Sequence, residues 1–306
     1  MLEKIILIEP RGFCEGVRVA IETVERLAQA HPNERIYVRH EIVHNKHVTN
    51  YLKERYGVIF IEDLNEIPDN SRVVFSAHGT SPEVYEEAKR KNLKVTDATC
   101  LLVEKVHKKV RKYAERGDKI ILIGHLGHQE VIGTMGQAKM GLIERVEDIE
   151  KIDIQEDSAV SYITQTTLSR YDTLEIEQVL KKKFSKLQTS KDDICYATTN
   201  RQEAVMAIAH SLDILLVIGE QNSSNSKRLV EVAQKKGLKT YLISTYQNIL
   251  KEWLINKRIL GLTAGASAPE HLVQECLVHL QKTYGGILEI YSHKTENTRF
   301  PSKDIT

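Results

Sequence analysis

Residues 4–14 read KIILIEPRGFC, a short β-branched run that leads through a glycine-containing turn to Cys14. Apolar residues at helical spacing follow over residues 17–30, so the stretch predicts a strand, a turn that presents a thiol, and a helix. Similar stretches surround Cys100, in DATC, and Cys195, in CYATTN. This recurrence predicts a threefold internal repeat in which each repeat contributes one cysteine to a shared metal site.

Polar residues follow the three cysteines at matching distances. The two sets, with one residue for each cysteine, are His44, His128 and Asn225, and then His78, Thr166 and Ser267. Each of these residues comes after a predicted strand. Because ligands of parallel α/β sheets collect beyond the carboxyl ends of the strands, the two sets are predicted to belong to one site.

The domain organisation follows from chain length and cysteine spacing. With 306 residues, the chain exceeds the size at which a single core keeps growing. The spacing predicts three domains and a tail, at residues 1–96, 97–193, 194–285 and 286–306. Short strands alternate with helical patterns, which predicts an α/β fold with mainly parallel sheets. Three of the helices are predicted over residues 103–116, 201–211 and 227–236.

The overall charge and hydropathy exclude several classes of partner. Lys and Arg number 43 and Asp and Glu 42, so a net charge of +1 gives no field that attracts nucleic acid or an anionic membrane. The apolar run at residues 5–8 is too short for a signal peptide, and no run approaches a membrane span. The sequence therefore predicts a cytoplasmic protein, and in a reducing compartment distant cysteines more often bind metal or catalyse than form disulfides.

The cysteines differ in their surroundings. Cys14, Cys100 and Cys195 lie in turns beside Gly, Thr or Asn, where backbone N–H groups can stabilise a thiolate. Cys276 lies in a helical apolar stripe and is predicted to be structural. Three thiolates can hold zinc with an open fourth position, or an iron-sulfur cubane whose fourth iron has no protein ligand. The lack of a CxxC pair argues against structural zinc, and the sequence pattern predicts a metal tripod.

Two segments of small polar residues are suited to an anionic substrate. NSSNS, residues 222–226, lies between a predicted strand and a helix, so Ser223, Ser224, Asn225 and the helix N-terminus can donate to phosphate. TAGASAP is similar around Ser267, since its small residues let the backbone approach a ligand. An ordinary helix-capping loop is the alternative interpretation of either segment.

Titratable residues in the same region are candidates for proton transfer. His44, His78 and His128 lie outside apolar stripes, where imidazolium is a charged donor to phosphate, although a lone histidine there is usually a surface residue. Glu130 is a candidate general acid, with a carboxylate at a helix N-terminus as the alternative. Thr166 either passes a proton onward or caps the next helix.

Taken together, these motifs resemble those of the 4-hydroxy-3-methylbut-2-enyl diphosphate reductase family. The motifs that carry the resemblance are PRGFC, YVRHEIVHN, SAHG, DATC, GTMGQ, TQTTLS, KDDICYATTNRQEAV, NSSNS and TAGASAP. They cover essentially the whole chain and thin out after about Gly285. The resemblance implies a trefoil of three α/β domains in pseudo-threefold arrangement around a central 4Fe-4S cluster, held here by Cys14, Cys100 and Cys195.

The resemblance also implies roles for the polar residues. Those expected to hold the diphosphate are His44, His78, Ser223, Ser224, Asn225 and Ser267. His128, Thr166 and Glu130 would handle the substrate hydroxyl, with Glu130 in the proton-delivery chain. Two departures stand at Leu101 and Gln129, where the family pattern leads us to expect proline, and they put local backbone rigidity in question.

The reaction implied is reductive dehydroxylation at an open iron site, giving isopentenyl diphosphate and dimethylallyl diphosphate in the last step of the methylerythritol phosphate pathway. Electrons would come one at a time from ferredoxin or flavodoxin, because the chain has no G-x-G-x-x-G nucleotide fingerprint. A monomer is expected. The alternatives are another three-cysteine cluster enzyme such as quinolinate synthase, which needs no external reductant, and a cluster-based sensor, for which Glu130 and Thr166 would be dispensable.

Overall fold

The computed structural model describes residues 1–188 and 193–306, so the first two residues of KDDICYATTNRQEAV lie outside the described part of the chain. In the described part, the strands form three sheets in which all pairs of neighbouring strands are parallel. The predicted α/β class with mainly parallel sheets is therefore confirmed.

The strands in chain order are β1 Lys4–Glu9, β2 Ile36–Arg39, β3 Ile59–Ile61, β4 Arg72–Phe75, β5 Lys94–Asp97, β6 Lys119–Ile123, β7 Met140–Ile143, β8 Ala159–Thr164, β9 Lys186–Gln188, β10 Ile214–Ile218, β11 Thr240–Ile243, β12 Ile259–Ala264 and β13 Ile287–Ser292. The α-helices are α1 Glu15–Ala30, α2 Lys46–Tyr56, α3 Pro82–Arg90, α4 Leu101–Glu115, α5 Gln129–Met135, α6 Arg170–Lys183, α7 Tyr196–Ile208, α8 Ser224–Lys235 and α9 Glu270–Tyr284. Short 3-10 helices cover Leu64–Glu66, Val146–Lys151, Ala209–Ser211, Tyr246–Asn248 and Lys251–Leu254.

The chain divides into two compact units. The first unit consists of Met1–Glu15, His44–Val48 and Tyr196–Arg299 and contains a five-stranded sheet of order β11-β10-β12-β1-β13. Side chains of β1 alternate between two apolar cores, one shared with α9 and the other with α7 and α8. Cys276 of α9 lies in the first of these cores, fully buried, as its apolar helical surroundings predicted.

The second unit consists of Gly16–Val43, Thr49–Cys195 and Phe300–Thr306. It contains two four-stranded sheets, of order β3-β2-β4-β5 and β7-β6-β8-β9. Helix α6 packs on one face of the second sheet and α4 on the other, because successive residues of β6 are buried on opposite faces. The carboxyl ends of β4, β6 and β8 lead into the segments that carry the predicted site residues of this unit.

The predicted domain boundaries remain a prediction. Two features of the first sheet concern the segments that those boundaries define. Strand β1 pairs with β12 and β13, which come from the last hundred residues of the chain. Strand β13 lies in the segment predicted as a tail. Its Ile287 and Ile290 side chains are exposed, so the strand lacks the alternation of buried and exposed residues that predicts a strand packed on a core. None of the described helices is both long enough and apolar enough to cross a membrane.

Candidate active site

Each of the three candidate ligand cysteines directly precedes an α-helix. Cys14 comes before α1, Cys100 caps α4, and Cys195 comes before α7. All three are partly exposed, and the partial positive charge of a helix N-terminus favours the thiolate form of such a cysteine. Cys276 differs, because burial raises the pKa of its thiol to about 12. Cys14, Cys100 and Cys195 therefore differ from Cys276 in exposure and in position relative to a helix start, and only these three are candidate ligands.

The three cysteines share one backbone contact. In each case the cysteine N–H donates to a carbonyl two residues beyond the end of a strand, namely β12, β4 and β8. The bonds are Cys14 to Ala266 at 3.1 Å, Cys100 to Ala77 at 3.0 Å, and Cys195 to Thr166 at 2.9 Å. The acceptor either precedes a predicted substrate residue or is one. The repeat seen in the sequence therefore has a counterpart in backbone geometry.

Space beside the Cys100 sulfur is kept by a glycine. A Cβ atom added to Gly16 would lie 2.6 Å from the Sγ atom of Cys100, so any side chain there would occupy the surroundings of the sulfur. Sulfur donors are the ligands that iron-sulfur clusters use, so the donor set and this gap fit such a group. Among the described residues, no three His, Cys, Asp or Glu side chains are grouped to hold a single metal ion.

Glu130 is a buried carboxyl held by one threonine. Its side chain is 3% exposed, Oε1 accepts the N–H of Thr166 at 2.6 Å, and Oε2 accepts the Thr166 hydroxyl at 2.9 Å. Burial raises the pKa of Glu130 to about 7, against the opposing effect of these two bonds. The residue can therefore hold or release a proton near neutral pH.

Two imidazoles lie near the start of α5, the helix that carries this carboxyl. His128 caps α5, and its Nδ1 atom accepts the N–H of Glu130 at 3.1 Å, so the neutral ring carries its proton on Nε2. The ring of His78 lies edge-on to it at a centroid distance of 6.0 Å, and Nδ1 of His78 is 3.2 Å from the Ser76 hydroxyl. The second unit thus brings His78, His128, Glu130 and Thr166 together.

The two expected prolines are replaced at equivalent places. Leu101 is the first residue of α4, and Gln129 is the first residue of α5. Proline is favoured at the first helical position because its missing N–H would have no helical partner there. Since both helices form with other residues, the replacements leave the local structure in place.

In the first unit, NSSNS both caps a helix and supports a neighbouring loop. The Ser223 hydroxyl caps α8 by accepting the N–H of Ser226 at 3.4 Å. The Asn225 amide donates to Thr198 Oγ1 at 3.0 Å and accepts the N–H of Ala266 at 2.8 Å. The capping alternative is therefore realised at Ser223, while Asn225 fixes the backbone next to Ser267.

The remaining predicted substrate residues of the first unit are linked to the same loop. The Ser267 hydroxyl donates to the backbone carbonyl of His44 at 3.0 Å. Ser224 is the first residue of α8 and is nearly buried. His44, Ser224, Asn225 and Ser267 are thus brought together in one unit, and their roles toward a substrate remain predictions.

Sequence reasoning assigned no role to Arg201, which is 1% exposed. Its guanidinium pairs with Glu296 at 3.0 Å and donates to the carbonyl of Gly12, two residues before Cys14, at 2.9 Å. The sequence did contain a signal for it. The start of α7 includes Thr198, Asn200 and Arg201 and has no apolar stripe, so a helix that packs there has to bury polar side chains. Arg201 therefore supports the turn that presents Cys14.

Known proteins resemble this chain in sequence and in fold. The LytB protein family model matches residues 5–281. The 4-hydroxy-3-methylbut-2-enyl diphosphate reductases of Haemophilus influenzae (strain PittEE) and Histophilus somni (strain 2336) are each 50% identical over 97% of this chain and 96% of their own length. The solved E-1-hydroxy-2-methyl-but-2-enyl-4-diphosphate reductase from Plasmodium falciparum is 41% identical, with a TM-score of 0.95 over 100% of this chain and 96% of that one.

A second solved structure is that of an (E)-4-hydroxy-3-methyl-but-2-enyl diphosphate reductase, the terminal enzyme of the non-mevalonate pathway, and it is 31% identical to this chain. Its TM-score is 0.65, over 92% of this chain and 100% of that one. These matches confirm the resemblance that the motifs indicated. Since the family model and the relatives cover nearly the whole sequence, the chain belongs to the LytB family of oxidoreductases.

Proposed function

We propose that this chain reduces 4-hydroxy-3-methylbut-2-enyl diphosphate to isopentenyl diphosphate and dimethylallyl diphosphate. The reaction breaks the allylic C–O bond, takes up two electrons and two protons, and releases water. The names of the relatives supply the substrate. The observation that carries the proposal is the buried Glu130 carboxyl, held by Thr166 beside His128 and His78.

A 4Fe-4S cluster would be held by Cys14, Cys100 and Cys195. The position of each thiol at a helix start and the gap left by Gly16 support this assignment. When bound, such a cluster supplies one-electron chemistry and an electrophilic iron without a protein ligand. A ferredoxin or flavodoxin is the proposed donor, since each passes on a single electron at a time.

The proposed residues for the diphosphate offer N–H and O–H donors of the kind that bind phosphate oxygens. They are His44, His78, Ser223, Ser224, Asn225 and Ser267. The second Nδ2 hydrogen of Asn225 and the N-terminus of α8 are further donors in the first unit. Charge-assisted bonds to a diphosphate are stronger than neutral ones, which favours tight binding of the anionic end of the substrate.

Proton delivery is assigned to Glu130, Thr166 and His128 of the second unit. The C–O bond breaks more readily when the departing oxygen receives a proton, and Glu130 holds one near neutral pH. The Thr166 hydroxyl is hydrogen-bonded to that carboxyl and can pass the proton onward. His128 accepts a backbone N–H at Nδ1, so the neutral ring carries its proton on Nε2, and we assign that N–H as the donor to the substrate hydroxyl.

The substitution Glu130→Gln tests this function, because it keeps the shape of the side chain and removes the acidic proton. Under anaerobic conditions with a reduced donor, turnover should fall by roughly two or more orders of magnitude, the usual effect of losing a general acid. Binding of the substrate, followed by calorimetry, should change little. The matched control is Glu175→Gln, which removes an exposed carboxyl from α6 in the same unit.

Near-normal turnover in Glu130→Gln would contradict the proton-delivery role. Turnover of the wild-type protein without any external reductant would contradict the reduction itself and favour a dehydration of the quinolinate synthase kind. A cluster-based sensor would bind the substrate without releasing either product, so product analysis by mass spectrometry separates that alternative.

A further inference from the structure

The loop that carries His78 and the helix that carries Glu130 touch through backbone atoms in the second unit. We call residues 78–81 the His78 loop. A Cβ atom on Gly133 of α5 would lie 2.7 Å from the carbonyl oxygen of Gly79 and 3.2 Å from the N atom of Thr80. One on Gly136 would lie 3.2 Å from Cα of Ser81. Helix α5 therefore approaches the loop more closely than any side chain at these positions would allow.

The other side of the His78 loop rests on α4. Gly79 has a φ of +85°, and a Cβ atom there would lie 2.7 Å from the His107 ring and 2.9 Å from Val103. Both the backbone conformation and the contact thus require glycine. The loop is held between two helices, α4 and α5, and its position sets where His78 lies relative to His128.

One side chain joins all three of these elements. The Nε2 atom of Gln137, just beyond α5, donates to the carbonyl of Thr80 at 3.1 Å and to that of Gly133 at 3.0 Å. Its Oε1 atom accepts a bond from Arg111 of α4. Among natural side chains of this length, only an amide can donate to two carbonyls and also accept from a guanidinium.

We propose that Gln137 is a positioning residue that fixes the His78 loop against α4 and α5 and thereby sets the affinity for the diphosphate. The inference rests on the proposed function, since His78 is one of the proposed diphosphate ligands. Glu130 is anchored separately by its two bonds to Thr166. Loss of the Gln137 bonds therefore disturbs substrate binding rather than proton delivery.

The substitution Gln137→Glu tests this role. The carboxylate still accepts from Arg111, now as an ion pair, but it has no proton to donate and faces two carbonyl oxygens. In the cluster-loaded protein, KM should rise on the order of tenfold, the effect expected for two lost hydrogen bonds, while kcat changes by less than about twofold. The dissociation constant of inorganic pyrophosphate, measured by calorimetry, should rise by a similar factor.

Two controls separate positioning from general effects. Gln155→Glu makes the same charge change at an exposed site in the same unit and should leave both quantities unchanged. Gly133→Ala pushes α5 away from the loop and should raise KM in the same way. Its control is Gly141→Ala, where the atoms nearest to a Cβ atom belong to Ile152 and lie at 3.6 Å or more.

Unchanged KM and unchanged pyrophosphate affinity in both Gln137→Glu and Gly133→Ala would overturn the proposal. A fall in kcat at constant KM in Gln137→Glu would also overturn it, since that result would place the residue in proton delivery. If the wild-type protein did not turn over the substrate, the proposed function would fail, and the pyrophosphate comparison would still decide the role of Gln137.

Discussion

Burial of the Glu130 carboxyl makes the stability of the folded chain depend on pH in a defined window. The ordinary pKa of the group is 4.5 and burial raises it to about 7, so between these pH values the folded state keeps a proton that the unfolded state has released. The folded state then binds more protons, and the free energy of unfolding falls as pH rises. Above about pH 7 both states have released the proton, and the effect levels off.

The magnitude follows from the width of the window. One pH unit within it corresponds to about 1.4 kcal/mol, so the rise from 4.5 to about 7 removes on the order of 3 kcal/mol of stability. Little of this is lost to solvent screening, because the carboxyl is buried. The Glu130→Gln variant has no group to titrate at this position, so its free energy of unfolding does not fall in this way. Between acidic and alkaline pH, its stability relative to wild type should therefore rise by about 3 kcal/mol.

Urea unfolding measures the difference directly. Midpoints for wild type and Glu130→Gln, taken anaerobically at equal iron content from about pH 5 to about pH 8, should diverge up to neutral pH and then run parallel. Altered hydrogen bonding of the amide adds a constant offset and leaves the slope unaffected. Glu175→Gln, at an exposed site, should follow the wild-type curve. A difference between Glu130→Gln and wild type that stays constant with pH would refute the buried, protonated carboxyl.

Two further predictions concern the surroundings of the cysteines. Gly16→Ala should lower the amount of iron bound per chain, because the new methyl group takes the space beside the Cys100 sulfur. The control Gly141→Ala should bind as much iron as wild type. Iron and sulfide analysis of the purified proteins measures the difference. Glu296→Gln should cost about 3 kcal/mol in urea unfolding, because it leaves the buried Arg201 without its carboxylate. The control is the exposed ion pair between Lys4 and Glu289, where Glu289→Gln should lower the free energy of unfolding by less than about 1 kcal/mol. Equal losses of stability in the two variants would contradict the role assigned to the buried Arg201–Glu296 pair.

For α4, α7 and α8 the sequence predicted the type of element better than the residue at which it starts. Patterns of apolar residues began α4, α7 and α8 at residues 103, 201 and 227, but the helices begin at Leu101, Tyr196 and Ser224. The missed first turns of α7 and α8 carry polar residues that follow Cys195 or belong to NSSNS, and such residues do not continue an apolar stripe. At α4 the missed residues are Leu101 and Leu102, which are apolar, and polarity does not explain that difference. Polar helix starts are therefore the places where periodicity gives the least information.

Pairing between distant strands was beyond the reach of local patterns. Residues 4–9 have the composition of a buried strand, which was enough to predict β1. Nothing in that stretch indicates that its neighbours are β12 and β13, far along the chain. The domain boundaries were drawn from chain length and from the spacing of the cysteines. Neither can distinguish a strand that pairs within its own segment from one that pairs with a strand of another segment.

The same limit explains which site residues were predicted and which were not. The cysteines, the histidines and Glu130 were proposed from the sequence because their side chains carry chemistry that a sequence shows directly. The supporting residues carry none. In GTMGQ, two glycines weaken any helical pattern, so α5 appeared in the sequence analysis only as the helix start that was the alternative interpretation of Glu130. In the structure Gly133 and Gly136 allow the close contact with the His78 loop, and Gln137 secures it. A pattern that argues against a helix in isolation is thus what lets α5, which carries the proposed proton donor Glu130, pack closely against the His78 loop.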